Sequence, residues 1–177
     1  MGEVETLIEL LTGTRDTFDH ALAGLSPAQW TFKPGPTRWS IFEVTEHVAT
    51  VESDAVQMVS GRLLAHPATE PQKAEVRGKD ELILRAMKDR SRPREAPELL
   101  RPSGRWPSPA AAVAAFQESR ERMLALLNRL PGHLRDYCAP HPILGMLDGY
   151  QWMLFVGTHL GRHTEQLAEI KVTPGFP

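Results

Sequence analysis

The sequence predicts an all-α fold, a bundle of four long helices, and three observations support this prediction. Apolar residues return every three or four positions in four separate segments, which is the period of an amphipathic helix. Residues that favour helix caps stand where these segments begin. No segment shows a persuasive β alternation. Four long helices joined by irregular connections are typical of a bundle.

Capping signals bound the helical segments. The segments cover about residues 4–25, 40–66, 108–130 and 148–171. In the second segment Ser40 is a favourable N-cap, and Glu43 three residues later completes a capping-box pattern. In the third segment Ser108 is the cap and Pro109 takes the first turn, where its missing N–H costs nothing. The third segment ends before Pro131.

Two connections are long and rich in proline. Residues 27–38 contain three prolines and a glycine, and in residues 66–107 only residues 79–89 have a helical pattern. Connections of this length allow helix orders other than a simple up-down-up-down bundle. The whole chain of 177 residues is expected to form one domain, residues 1–177.

Composition and sequence patterns exclude several kinds of partner, cross-link and targeting segment. A hydrophobic share of 41% is ordinary for a folded soluble protein, and a net charge of -2 gives no electrostatic reason to bind nucleic acid or an anionic membrane. The single cysteine, Cys138, excludes an internal disulfide and a multi-cysteine zinc site. The sequence shows no secretory signal pattern and no apolar run of about 20 residues. The expected location is cytoplasmic, and the expected partner is a small-molecule substrate.

The strongest chemical signal is a pair of histidines on the fourth helix. His159 and His163 are four residues apart, so both imidazoles lie on one face, one turn from each other. That face is the inward stripe, which includes Trp152, Val156 and Leu167. An unsatisfied polar group in a core costs about 1–3 kcal/mol, and a metal ion would satisfy both imidazoles. Chance spacing of two histidines on a helix is the alternative.

A third histidine supports the metal hypothesis. His47 lies beside the inward face of the second helix, so it can meet the other two if those helices are neighbours. Three imidazoles suit zinc, nickel, copper or ferrous iron and leave a coordination position open. Occupancy should fall below about pH 6, near the free histidine pKa. We expect no such role for His20, His66 and His133.

Three other side chains could serve near this site, and a fourth is expected not to. Glu43, one turn before His47, is a candidate general base, although the capping box explains it equally. His141 could approach from the connection before the fourth helix, and Gln166 could be an outer hydrogen-bond partner of His163 or an ordinary surface residue. Arg162 is expected to face solvent.

Three motifs resemble those of a known family. They are Trp39-Ser40-Ile41 with Glu43-Val44 and Glu46-His47, the proline-rich stretch 97–106, and His141-Pro142-Ile143-Leu144-Gly145 followed by Gln151-Trp152, His159-Leu160-Gly161-Arg162-His163 and Gln166. The chain thereby resembles the DinB-like superfamily of metal-binding helical bundles, which includes YfiT-like proteins. The resemblance covers nearly the whole chain.

The resemblance implies a four-helix bundle in an up-down-down-up arrangement, often a homodimer, with one ion of zinc, nickel or iron near one end. Characterised relatives include isomerases and transferases that use the small thiols bacillithiol or mycothiol. The first hypothesis is therefore a metal-dependent small-thiol S-transferase. A metal-dependent hydrolase and a non-catalytic, stress-linked metal-binding module are the alternatives. A homodimer is also indicated by surplus apolar surface at Met153, Leu154 and Phe155.

Overall fold

The computed structural model describes residues 2–65, 67–91, 95–129 and 133–177. The helices are α1 Glu3–Leu22, α2 Pro27–Thr31, α3 Ile41–Gly61, α4 Glu70–Val76, α5 Lys79–Lys88, α6 Pro109–Leu127 and α7 Gly149–Lys171. Two short antiparallel strands, β1 Cys138–His141 and β2 Gly145–Asp148, form a hairpin before α7. Short 3-10 turns lie at Leu63–Ala65, Glu98–Leu100 and Leu134–Asp136.

The four long helices confirm the predicted bundle, and their caps explain where they begin. The Ser40 hydroxyl accepts a hydrogen bond from the Glu43 amide, and Glu43 Oε2 accepts one from the Ser40 amide at 2.8 Å, so the predicted capping box is present. Ser108 caps α6, with Pro109 in its first turn. His66 and the expected helix end at Pro131 lie outside the described residues.

The hydrophobic core determines how the helices run. One buried cluster joins the first halves of α1 and α7 to the second halves of α3 and α6, as Leu7, Leu127 and Trp152 illustrate. The other cluster joins the opposite halves, as Phe18 and Leu160 illustrate. Helices α1 and α7 are therefore parallel to each other and antiparallel to α3 and α6. In the chain order α1, α3, α6, α7 the directions are therefore up, down, down and up, and α7 also packs against α3.

Helix α7 is the central element of the molecule. It packs against α1, α3, α5 and the segments around the hairpin, so almost every face of its first half is covered. Met153, Leu154 and Phe155 are at most 7% exposed and belong to the chain's own core. The interpretation of these residues as a partner surface was wrong, because the sequence does not show how many neighbours a helix has. The homodimer stays a prediction.

Three elements lie in stretches that the sequence analysis left as connections or without strands. Helix α2 begins with a capping box between Ser26 and Gln29, and α4 begins with one between Thr69 and Gln72. The β1–β2 hairpin turns through Gly145, whose φ of 72° is in the left-handed region. Within the part of the chain described, no helix is long and apolar enough to cross a membrane.

One buried ion pair links three of the four long helices. Arg120 of α6 donates from Nε to Glu52 Oε2 of α3 at 3.1 Å, and its Nη2 donates to Glu52 Oε1. Arg120 also donates to the Leu11 carbonyl and the Thr14 hydroxyl of α1. Both charged side chains are buried, so this network fixes α1, α3 and α6 relative to each other.

Candidate metal centre

The three histidines that the sequence analysis singled out lie together between α3 and α7. His47 is in the first half of α3, His159 is at the middle of α7 and His163 is in its second half, and these parts meet because the helices are antiparallel. His159 Nε2 lies 3.3 Å from His47 Nε2 and 3.2 Å from His163 Nε2. Their candidate ligand atoms all lie within 4.8 Å of one another.

The far side of two of these rings is fixed by hydrogen bonds. His47 donates its Nδ1–H to the Leu100 carbonyl at 2.7 Å, and His163 donates its Nδ1–H to Gln166 Oε1 at 2.8 Å. A neutral imidazole carries one N–H, so the Nε2 atoms of both rings present lone pairs to His159. His159 Nε2 can donate a proton to only one of them. The cluster therefore has more imidazole lone pairs that accept hydrogen bonds than N–H groups that donate them. A bound cation would satisfy the unpaired lone pairs.

Two of the three distances between the nitrogens, both measured from His159 Nε2, fit a tetrahedral ion. A zinc–imidazole bond is about 2.0–2.1 Å, so two nitrogens on one tetrahedral ion are about 3.3–3.4 Å apart. The observed separations of 3.2 and 3.3 Å agree with this edge length. His47 and His163 are buried, and His159 is half-buried.

Burial keeps these imidazoles neutral, which is the state that binds metal. It lowers the pKa of His163 to about 3, with the nearby His47 adding to the effect. Burial also lowers the pKa of His159 well below its ordinary value, and the other two histidines reinforce this. For His47 burial lowers the pKa while the bond to Leu100 opposes the shift. Protons thus compete for the cluster only in acid.

Aromatic side chains flank the histidines. The ring centroid of Trp39 lies 5.0 Å from that of His47, and the centroid of Phe155 lies 5.2 Å from that of His159. These rings give the cluster an apolar surround. Such a surround lowers the local dielectric and strengthens the effect of a bound charge.

His141 lies at the hairpin turn, with Phe155 between it and His159. Its Nδ1 accepts hydrogen bonds from the amides of Ile143 and Leu144, at 3.2 and 3.1 Å. Its ring packs against Phe155, with the centroids 4.3 Å apart, and Phe155 in turn contacts His159. Burial lowers the pKa of His141 to about 4. These contacts give His141 a role in the hairpin, and its predicted outer role at the site stays a prediction.

The contacts of the other predicted side chains agree with the predictions in some cases and differ in others. Gln166 does contact His163, as the spacing of three residues suggested. Both oxygens of Glu43 are engaged elsewhere, one by the Ser40 amide and one by Lys33 Nζ at 2.7 Å, which favours the capping role. The expectation that Arg162 faces solvent was wrong, because it donates to the Met87 and Asp89 carbonyls at the end of α5.

Two features next to the site were not foreseen from the sequence. One is the Leu100 carbonyl on His47, since any residue has a carbonyl and only the fold decides which one arrives there. The other is Glu46, which is buried beside His47. The sequence signal for Glu46 was a carboxylate next to a candidate metal ligand within a motif.

The single cysteine, Cys138, is not activated as a nucleophile. Burial together with Asp148 raises the pKa of its thiol.

Comparisons with known proteins agree with this architecture. The DinB superfamily matches residues 10–167. YuaE of Bacillus subtilis (strain 168), an uncharacterized protein, is 31% identical over 150 residues, covering 85% of this chain and 88% of YuaE. The four-helix bundle protein TT2238 superposes with a TM-score of 0.58 at 16% identity, covering 94% of this chain and 98% of TT2238. YfiT from Bacillus subtilis, described as a probable metal-dependent hydrolase with an unusual four-helix bundle topology, gives 0.59 at 14% identity, covering 98% and 89%.

Proposed function

The chain belongs to the DinB superfamily, and on that premise we propose that it is a metal-dependent enzyme of the small-thiol S-transferase type. His47, His159 and His163 would hold one divalent ion of zinc, nickel or iron. The observation that carries the proposal is that the ligand atoms of three histidines lie within 4.8 Å of one another, with both Nε2 separations from His159 matching the edge of a tetrahedral ion. When bound, such an ion would lower the pKa of a small thiol that coordinates it.

The protein's own groups would prepare this site before any substrate arrives. The Leu100 carbonyl and Gln166 hold two rings with their lone pairs inward, so little reorganisation is needed on binding. Trp39 and Phe155 exclude water from two sides. A co-substrate would approach next to His159, the half-buried member of the three.

A thiol is favoured over water as the nucleophile because the site offers no evident general base. Among the described residues, the three histidines alone form the group of candidate ligands, with no carboxylate among them. Glu43, the candidate base, is engaged by Ser40 and Lys33. A small thiol has a pKa closer to neutrality than water has, so it can lose its proton to solvent without a protein base.

Hydrolysis is the second candidate. YfiT, which shares the fold at 14% identity, is described as a probable metal-dependent hydrolase. A hydrolase on this scaffold would need water to be activated without help from Glu43. A non-catalytic metal-binding module is the remaining alternative.

Cobalt substitution tests these alternatives in one experiment. The protein is loaded with Co²⁺ and titrated with bacillithiol, with mycothiol and with an S-methylated thiol as the matched control. An S-transferase predicts a sulfur-to-cobalt charge-transfer band with a free thiol and none with the methylated analogue. Absence of the band together with metal-dependent ester hydrolysis would favour the hydrolase. Metal binding with neither response would favour the non-catalytic module.

A further inference from the structure

Glu46, the residue before His47, is a buried carboxylate that binds main-chain amides. It is 3% exposed, and its Oε1 accepts hydrogen bonds from the amides of Ser103 at 2.9 Å and Arg105 at 2.7 Å. Burying a carboxylate is unfavourable unless such bonds replace its hydration. The two bonds therefore tie the segment after the Glu98–Leu100 turn firmly to α3.

Between Leu100 and Trp106, which pack partly buried against the core clusters, the segment that Glu46 holds has few buried contacts. None of residues 95–107 is buried, and Leu99 is 85% exposed. Gly104, between the two bonded amides, has a φ of 74°, in the left-handed region that residues with a Cβ adopt only with strain. The carboxylate and this glycine together define the local shape of the segment.

The same segment supplies the carbonyl that orients His47. Leu100 accepts the Nδ1–H of His47 at 2.7 Å. Only Arg101 and Pro102 separate Leu100 from Ser103, and the ring of Pro102 restricts its own φ. Anchoring Ser103 therefore restricts where the Leu100 carbonyl can lie. The segment is thus bonded to α3 at two consecutive residues, through its amides to Glu46 and through the Leu100 carbonyl to His47.

We propose that Glu46 is a positioning residue for His47 that acts through the backbone of residues 98–105. By holding the Leu100 carbonyl against Nδ1, it keeps the proton on that nitrogen and directs the Nε2 lone pair toward the other two histidines. Losing a group that hydrogen-bonds a metal-binding histidine changes metal affinity by about 10- to 100-fold, and Glu46 acts on such a group, the Leu100 carbonyl. The inference rests on the proposed metal-binding function, while the orientation of His47 is also a property of the metal-free protein.

The test compares Glu46→Ala with Glu46→Gln. The first removes the acceptor, whereas the second keeps a side-chain oxygen that both amides can reach. Zinc affinity is measured by chelator competition, and ¹⁵N NMR of the metal-free protein reports which nitrogen of His47 carries the proton. We expect Glu46→Ala to weaken zinc binding by about 10- to 100-fold and to lose the pure Nδ1–H form. Glu46→Gln should restore most of both properties.

A second variant leaves α3 untouched and guards against a folding defect. Gly104→Ala strains the held segment without any steric clash, and Gly78→Ala is its matched control, with a φ of 77° and nothing within 4 Å of the added Cβ at either position. Gly104→Ala should weaken zinc binding by roughly 5-fold, and Gly78→Ala should not.

The outcomes separate this inference from the proposed function. If wild-type protein binds zinc and both Glu46→Ala and Gly104→Ala keep its affinity and the His47 tautomer, the positioning role is wrong while the metal site stands. If wild-type protein binds none of zinc, nickel and iron, the proposed function fails. The NMR comparison then still decides the positioning role, since an unchanged tautomer in Glu46→Ala overturns it and a changed one supports it.

Discussion

Replacing His141 with asparagine should change how the stability of the metal-free protein depends on pH. Asn Oδ1 occupies the same place along the side chain as His Nδ1, so it can accept from the Ile143 and Leu144 amides. Asparagine does not titrate. Losing the ring contacts with Trp152 and Phe155 should cost about 1–3 kcal/mol at every pH.

The sign and size of the pH effect follow from the pKa of His141. Burial lowers this pKa from 6.5 to about 4 in the folded protein, so the unfolded chain binds the proton first as the pH falls. Wild-type stability should therefore fall between about pH 6.5 and about pH 4. One histidine with this difference contributes about 2.5 kcal/mol between pH ~7.5 and pH ~4.5.

Urea unfolding at these two pH values isolates the effect. The difference between wild type and His141→Asn at pH ~7.5 reports the lost packing alone. From pH ~7.5 to pH ~4.5 the wild type should lose about 2.5 kcal/mol more than the variant does, because the other titrating groups are common to both. Equal losses in the two proteins would show that His141 is protonated as readily in the fold as in the unfolded chain, and would refute the reasoning.

Three further outcomes are expected. Gln166→Leu removes the acceptor of the His163 Nδ1–H and should weaken zinc binding by about 10- to 100-fold in chelator competition, whereas Gln166→Glu should retain it. Arg120→Met leaves Glu52 as an unpaired buried charge and should cost about 3–5 kcal/mol in urea unfolding, most of which Glu52→Leu in the same chain should restore. The sequence-based expectation that metal occupancy falls below about pH 6 uses the free histidine pKa, whereas burial lowers the pKa of His163 to about 3. Zinc loading in equilibrium dialysis should therefore persist below pH ~6, and half-loss near pH ~6 would contradict this.

The bundle and the meeting of the three histidines could be predicted because both follow from helical phase. A buried face repeats along a helix, so imidazoles on that face must point at another helix. The up-down-down-up order came from family resemblance, and the positions of the two core clusters bear it out. Capping-box patterns at Ser26 and Thr69 are present in the sequence and mark the starts of the short helices α2 and α4.

Other features depend on neighbours that a single segment does not specify. The burial of Met153, Leu154 and Phe155 arises because α5 and the hairpin cover a helix face that would otherwise be free. The hairpin strands have four residues each and include Pro140, too short and irregular a pattern for alternation to reveal. The Leu100 carbonyl reaches His47 through a connection without helical or strand periodicity.

Metal content in histidine variants tests the central claim most directly. Purified wild-type protein dialysed against zinc should retain one ion per chain by elemental analysis. Changing His47, His159 or His163 to alanine should each reduce retention sharply, because two remaining ligands hold an ion far less well. His20→Ala and His133→Ala, both at exposed positions, should retain it fully. Stoichiometric zinc in His159→Ala and His163→Ala, or none in the wild type, would contradict the three-histidine metal site.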